Sequence, residues 1–137
     1  GADRSVIEAL QRYGEVVGTA FQLSDDLLDI TSLQAQSGKT PGTDLREGVP
    51  TLAMLYALRS DDPGQARLRE LLRGPLVDDA LHSEALGLLR GSPAVAEAQS
   101  TLTSYAEGAR RLLNDLPDVP ARAGLGALAD FVIARAG

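Results

Sequence analysis

Apolar residues recur at three- and four-residue steps along nearly the whole chain, and no alternating run bounded by hairpin turns interrupts them. That periodicity calls for amphipathic helices that each bury one stripe, so the expected fold class is all-α, a helical bundle. With 137 residues and 44% hydrophobic side chains, there is enough apolar mass for one compact core and too little for two. Residues 1–137 therefore read as a single helical domain, with no internal repeat, low-complexity tract or long linker to divide it.

Capping and breaking residues divide the pattern. Asp3 or Ser5 can cap a first helix that runs to about Ser32, an aspartate-bearing element spanning about 3–32. Residues 37–50, SGKTPGTDLREGVP, gather glycine, proline, serine and threonine, which break both periodicities, and read as a loop. Helices over Thr51–Arg59, Gln65–Arg73 and Val77–Arg90 follow. Ser92 and Pro93 open a long helix to about Leu116, which Pro117 to Pro120 break. The last helix, Ala121–Ala136, puts Leu125, Leu128, Val132 and Ile133 on one face.

The first helix holds the sequence's main contradiction. Its stretch FQLSDDLLDI carries Asp25, Asp26 and Asp29 in apolar surroundings. At about 100° per residue, Val16, Ala20, Leu23, Leu27 and Ile30 fill one side, and Leu10, Val17, Phe21 and Leu28 continue around from it. Only a sector with Glu8, Gln11, Arg12, Glu15, Thr19 and Asp26 stays polar, so the helix is expected to pack on several sides in the middle of the bundle. Gly14 and Gly18, each costing roughly 1 kcal/mol relative to alanine in a helix interior, suggest a close approach by a helix or a ligand. Asp25 falls at the angle of Ile7, on the apolar side, with Asp29 one turn on and Asp26 nearer solvent. Stacked carboxylates repel, and an unpaired buried carboxylate is costly. A divalent cation removes both difficulties; arginines from other helices would be the alternative. The oxygen-only donor set suits Mg²⁺, which keeps several waters and takes one or two carboxylates plus substrate phosphates.

Composition narrows the partners. A net charge of −6 disfavours nucleic acid or an anionic membrane, so an anionic ligand needs a bridging cation. With no cysteine, disulfides and thiolate metal sites are excluded, and a reducing cytosol is allowed. No apolar run approaches the roughly 20 residues of a transmembrane helix. Lys39, between Gly38 and Thr40 and followed by Gly42, is the only lysine.

The pattern Gly18-x-x-Phe21-Gln22-x-x-Asp25-Asp26-x-Leu28-Asp29, followed by Gly38-Lys39 and Thr43-Asp44-Leu45-x-x-Gly48, resembles the second half of the trans-isoprenyl diphosphate synthases, or polyprenyl synthetases. ALQRYGEVVGTAFQLSDDLLD, TLAMLYAL and LNDLPDVPARAGLGALADFVIAR extend the likeness to the whole chain. The resemblance implies the carboxyl-terminal half of an isoprenoid synthase fold, in which two aspartate-rich motifs face each other and clamp Mg²⁺ on an allylic diphosphate. By that resemblance Asp25 is the direct metal ligand, Asp26 and Asp29 assist directly or through water, and Asp44 supports the metal from the loop. Lys39 would grip the diphosphate as a catalytic group, and Phe21 and Gln22 would line the substrate cavity. The implied reaction is chain elongation of an allylic diphosphate with isopentenyl diphosphate, in a cytoplasmic and dimeric enzyme.

Two departures stand out. Where many relatives carry a lysine soon after the loop glycine, this chain has Gly48-Val49-Pro50, leaving Arg46 as a candidate substitute. Asp61-Asp62 and Asp78-Asp79 sit at a turn and a helix start, so neither supplies a first aspartate-rich motif. The chain is thus expected to be inactive alone, pairing with the missing amino-terminal half or forming a homodimer. A non-catalytic subunit of a heteromeric synthase and a plain helical interaction module are the alternatives. His82, one turn after Asp78, reads as part of a solvated face; Arg67, Arg69 and Arg73 read the same way, as do Arg110 and Arg111. Tyr13, Tyr56 and Tyr105 read as core or rim packing.

Overall fold

The computed structural model describes residues 2–31, 41–117 and 120–136. Every regular element among them is helical: α1 (Ala2–Thr31), α2 (Thr43–Glu47), α3 (Leu52–Arg59), α4 (Ala66–Leu71), α5 (Asp79–Arg90), α6 (Pro93–Leu112) and α7 (Pro120–Ala136). Short 3₁₀ turns occupy Pro63–Gln65 and Leu113–Asp115. The all-α expectation holds, and local chemistry accounts for most boundaries. Thr51 Oγ1 accepts from the amide of Met54, Asp78 from Leu81 and Ser92 from Ala94, each occupying a donor that a first helical turn leaves free. Asp62 accepts from Gly64 at the start of the first 3₁₀ turn.

Several boundaries differ from the sequence reading: Asp3 and Ser5, the expected caps, lie inside α1, and the helix expected over Gln65–Arg73 spans Ala66–Leu71. The third long segment starts at Asp79 rather than Val77, because Asp78 is the cap and Val77 lies outside it, largely exposed. The long helix ends at Leu112 and tightens into a 3₁₀ turn instead of continuing to Leu116. Within the expected loop, Thr43–Glu47 forms a helical turn between Gly42 at φ 78° and Gly48 at φ 72°. These left-handed glycines, which a side chain would strain, let the chain enter and leave so short a helix.

The chain divides into two compact units, residues 1–24 with 100–137 and residues 25–99. In the first, Tyr13, Ala109 and Leu113 form a buried cluster against Val16, Val17, Leu112, Leu116 and Leu125. The Tyr13 hydroxyl donates to the Leu125 carbonyl, and burial pushes its pKa above the ordinary value. On α7 the buried stripe is Ala129, Val132 and Ala136, whereas Leu128 is exposed; small residues, not the leucine, occupy the tightest positions. Tyr105 is exposed, so of the tyrosines only Tyr13 joins the core.

In the second unit α4 packs on α3 and α5, and α2 on α5. Leu45, Leu68 and Leu89 are fully buried there. Arg67 forks onto Glu84 at 2.7 and 3.0 Å and reaches Glu70 at 3.3 Å, so this arginine bridges α4 to α5 rather than only facing water. Arg69 donates to the carbonyls of Ser60 and Asp62, both at 2.8 Å, and closes the turn between α3 and α4.

Candidate functional site

The last turns of α1 depart from the expected burial. Asp25 is exposed, while Asp26 and Asp29 are half-buried, reversing the expected order of Asp25 and Asp26. The buried stripe of α1 is Ala9, Tyr13, Ala20, Ser24, Leu27 and Ile30. The face that holds Asp25 also holds Ile7, Gly14, Gly18 and Phe21, all exposed, and a Cβ added at either glycine would meet nothing within 4 Å. Packing among the described residues is one-sided. One stripe is buried, a second is charged, and the third, apolar apart from its carboxylate, faces outward among the described residues. The Phe21 ring lies under the Arg135 guanidinium at 4.3 Å, and Gln22 is exposed beside it.

Asp29 faces α2. Its Oδ1 accepts from the Thr43 amide at 3.2 Å and its Oδ2 from the Asp44 amide at 3.1 Å, while its carbonyl accepts from Gly42 at 2.8 Å. One residue thus satisfies the free donors at the start of α2 and draws half-buried Asp44 to the end of the aspartate helix. The next carbonyl, of Ile30, accepts from Arg90 Nε at 2.7 Å, so the carboxyl end of α1 is tied to α5 as well. Lys39 and Gly38 lie outside the described residues. Arg46, the candidate substitute for a missing lysine, is engaged with Asp79 at 2.9 Å and the Val77 carbonyl at 3.1 Å.

The reading of His82 as solvent-facing is overturned. The residue is 5% exposed, and its Nε2 lies 2.7 Å from the Gly42 carbonyl. The signal was present in the spacing: His82, Ala85, Leu86 and Leu89 follow the i, i+3, i+4, i+7 pattern of a buried stripe, and all four are buried. For Arg90 and Gly42 no comparable signal exists, since each acts through a backbone carbonyl that tertiary packing brings near.

Among the described residues no group of three or more histidines or acids is placed to enclose a metal ion. Mg²⁺ needs less than that, since one or two protein carboxylates suffice when substrate phosphates fill other positions. Exposed Asp25 and half-buried Asp26 next to it are oxygen donors of the kind such an open part-site uses. An open groove of about 650 Å³ in the first unit is lined by Arg110, Arg111, Arg122 and Asp130, and by no residue of the aspartate motif.

Helices make up every regular element among the described residues, the longest ends in an Asp-Asp-x-x-Asp motif, and the class is an isoprenoid-synthase type of fold. The family profile described as polyprenyl synthetase matches residues 1–88, and the chain belongs to that family. It is 56% identical to nonaprenyl diphosphate synthase of Mycobacterium tuberculosis over all 137 residues, which span 41% of that protein. It is 34% identical to heptaprenyl diphosphate synthase component 2 of Geobacillus stearothermophilus, covering 97% of this chain and 40% of that one. The fold is similar, with a TM-score of 0.89 and 44% identity, to geranylgeranyl pyrophosphate synthase from Corynebacterium glutamicum complexed with calcium and isoprenyl diphosphate; the likeness covers 97% of this chain and 41% of that one. The chain thus spans about two fifths of the length of the curated relatives it matches. No helix among the described residues is long and apolar enough to cross a membrane.

Proposed function

We propose that these residues form the carboxyl-terminal part of one catalytic domain that elongates an allylic diphosphate with isopentenyl diphosphate in a Mg²⁺-dependent prenyl transfer. The observation that carries this reading is the outward-facing Asp25 at the end of a helix face that is otherwise apolar or glycine, in a chain of the polyprenyl synthetase family. A carboxylate so placed, on a protein with a net charge of −6, has a physical use for a divalent cation and, through it, for a polyanion. The calcium and isoprenyl diphosphate in the Corynebacterium glutamicum relative support the same pairing.

In this reading Asp25 and Asp26 hold the cation, Asp29 and Asp44 back them, and Lys39 binds the diphosphate. Mg²⁺ bound there would supply positive charge to the diphosphate as it departs. The allylic C–O bond breaks, the double bond of isopentenyl diphosphate supplies the electron pair of the new C–C bond, and a proton is lost from the adduct. Exposed Phe21 and the outer face of α1 offer the apolar surface along which a prenyl tail lies, and Gln22 adds a polar contact. The enzyme is proposed to be cytoplasmic and dimeric. A relative that is a synthase component favours one other reading, in which the chain belongs to one subunit of a heteromeric synthase.

The test is prenyl transfer by the natural full-length chain with Mg²⁺ and both diphosphates. Asp25→Ala is expected to lower kcat by about 10²–10³-fold, the scale of losing one group that stabilises developing charge, and far more than Asp26→Ala. Equal losses, or activity that survives chelation of divalent ions, would contradict the reading.

A further inference from the structure

The position of α2 against the aspartate helix is fixed at one residue from two sides. The Gly42 amide donates to the Asp29 carbonyl at 2.8 Å, and the Gly42 carbonyl faces His82 Nε2 at 2.7 Å. Beside it, both carboxylate oxygens of Asp29 are used by the next two amides, those of Thr43 and Asp44. Gly42 has φ 78°, and a Cβ there would lie 2.7 Å from His82 Nε2, so the imidazole seats directly on the backbone. The carbonyl can only accept, which sets the tautomer: the proton is on Nε2. Asp29 in turn is an acceptor for two donors, a role an asparagine fills on one side only.

We propose that His82 and Asp29 are positioning residues that clasp Gly42, and so hold α2 and Asp44 in register with Asp25 and Asp26. Asp29 then serves the site by ordering the loop end, and Asp25 with Asp26 bears the cation. His82 touches no substrate; it acts through the Gly42 carbonyl. The proposal rests on the prenyl-transfer reading for its catalytic consequence, while the clasp itself is a property of the fold.

The test compares His82→Ala, His82→Gln and Asp29→Asn in the natural full-length chain, by steady-state kinetics with Mg²⁺ and both diphosphates and by amide hydrogen exchange. His82→Ala is expected to lower kcat/KM for the allylic diphosphate about 10- to 100-fold, the cost of a misplaced group, and to weaken half-saturation by Mg²⁺ with it, because Asp44 backs the cation. Glutamine, whose amide N–H can reach the same carbonyl, is expected to restore most of the loss. Exchange at Thr43 and Asp44 is expected to quicken in His82→Ala and Asp29→Asn. Wild-type kinetics in His82→Ala, or glutamine no better than alanine, overturns the role of His82. A weakened Mg²⁺ half-saturation in Asp29→Asn, with exchange unchanged, overturns the positioning role of Asp29 and makes it a ligand. His82→Gln and Asp29→Asn keep volume and polarity, so the test stands if His82→Ala fails to fold. Should the wild-type chain transfer no prenyl group while exchange responds as expected, the functional reading fails and the clasp is upheld.

Discussion

His82 and Glu84 sit two residues apart on α5 and show how differently neighbouring side chains are used. His82 turns inward to a backbone carbonyl, whereas Glu84 meets the Arg67 guanidinium at the surface. The hydrogen bonds from Arg67 hold the Glu84 carboxyl below its ordinary value of 4.5. A depressed carboxylate pKa stabilises the fold above the ordinary value, and that contribution is lost as the pH falls through the lowered one. Wild type is therefore expected to melt above Glu84→Gln at neutral pH, with the gap closing in acid and shrinking in concentrated salt because the pair is exposed. Thermal melts from neutral pH downward check this; a gap independent of pH would assign the effect to packing. The position of His82 was legible in its spacing from Ala85, Leu86 and Leu89, but its polarity pointed the other way. A histidine satisfies both demands when one ring nitrogen finds a carbonyl, and only the folded chain supplies Gly42.

At the scale of elements, the helices themselves were the most legible feature and their partners the least. Ser92 caps as read from the sequence, while Thr51 and Asp78, read as helical, and Asp62, read as a turn residue, cap by the same local chemistry of a side-chain oxygen reaching an amide two or three residues on. Replacing Thr51, a buried cap of α3, with alanine is expected to cost about 1 kcal/mol in denaturant unfolding, with the slope unchanged. A loss near zero would mean that the Met54 amide finds another acceptor. The helical turn Thr43–Glu47 escaped detection for the opposite reason. It is too short for periodicity to reveal, and its first amides are satisfied by Asp29, 14 and 15 residues away in sequence. For α1 the apolar circumference was read correctly from sequence, yet its buried part was not, since apolar character shows what a face can pack on and not what is there to pack on it.

At the scale of the molecule, the chain carries an Asp-Asp-x-x-Asp motif and spans about two fifths of the length of its relatives. The 137 residues alone are accordingly expected to yield no elongated product with Mg²⁺ and both diphosphates; product formation at a rate near that of the full-length chain would overturn this. The sequence by itself determined the helical class, through its periodicity, the family, through the motif pattern around Asp25 and Asp29, and the identity of the acidic groups. Tertiary structure alone decided that Asp25 faces outward and Asp29 is spent on two amides, and that His82 and Arg90 secure the ends of the loop and of α1. The bonds of Asp29, His82 and Arg90 join side chains to backbone groups 14 to 60 residues away, and such encounters leave no local trace in the order of side chains.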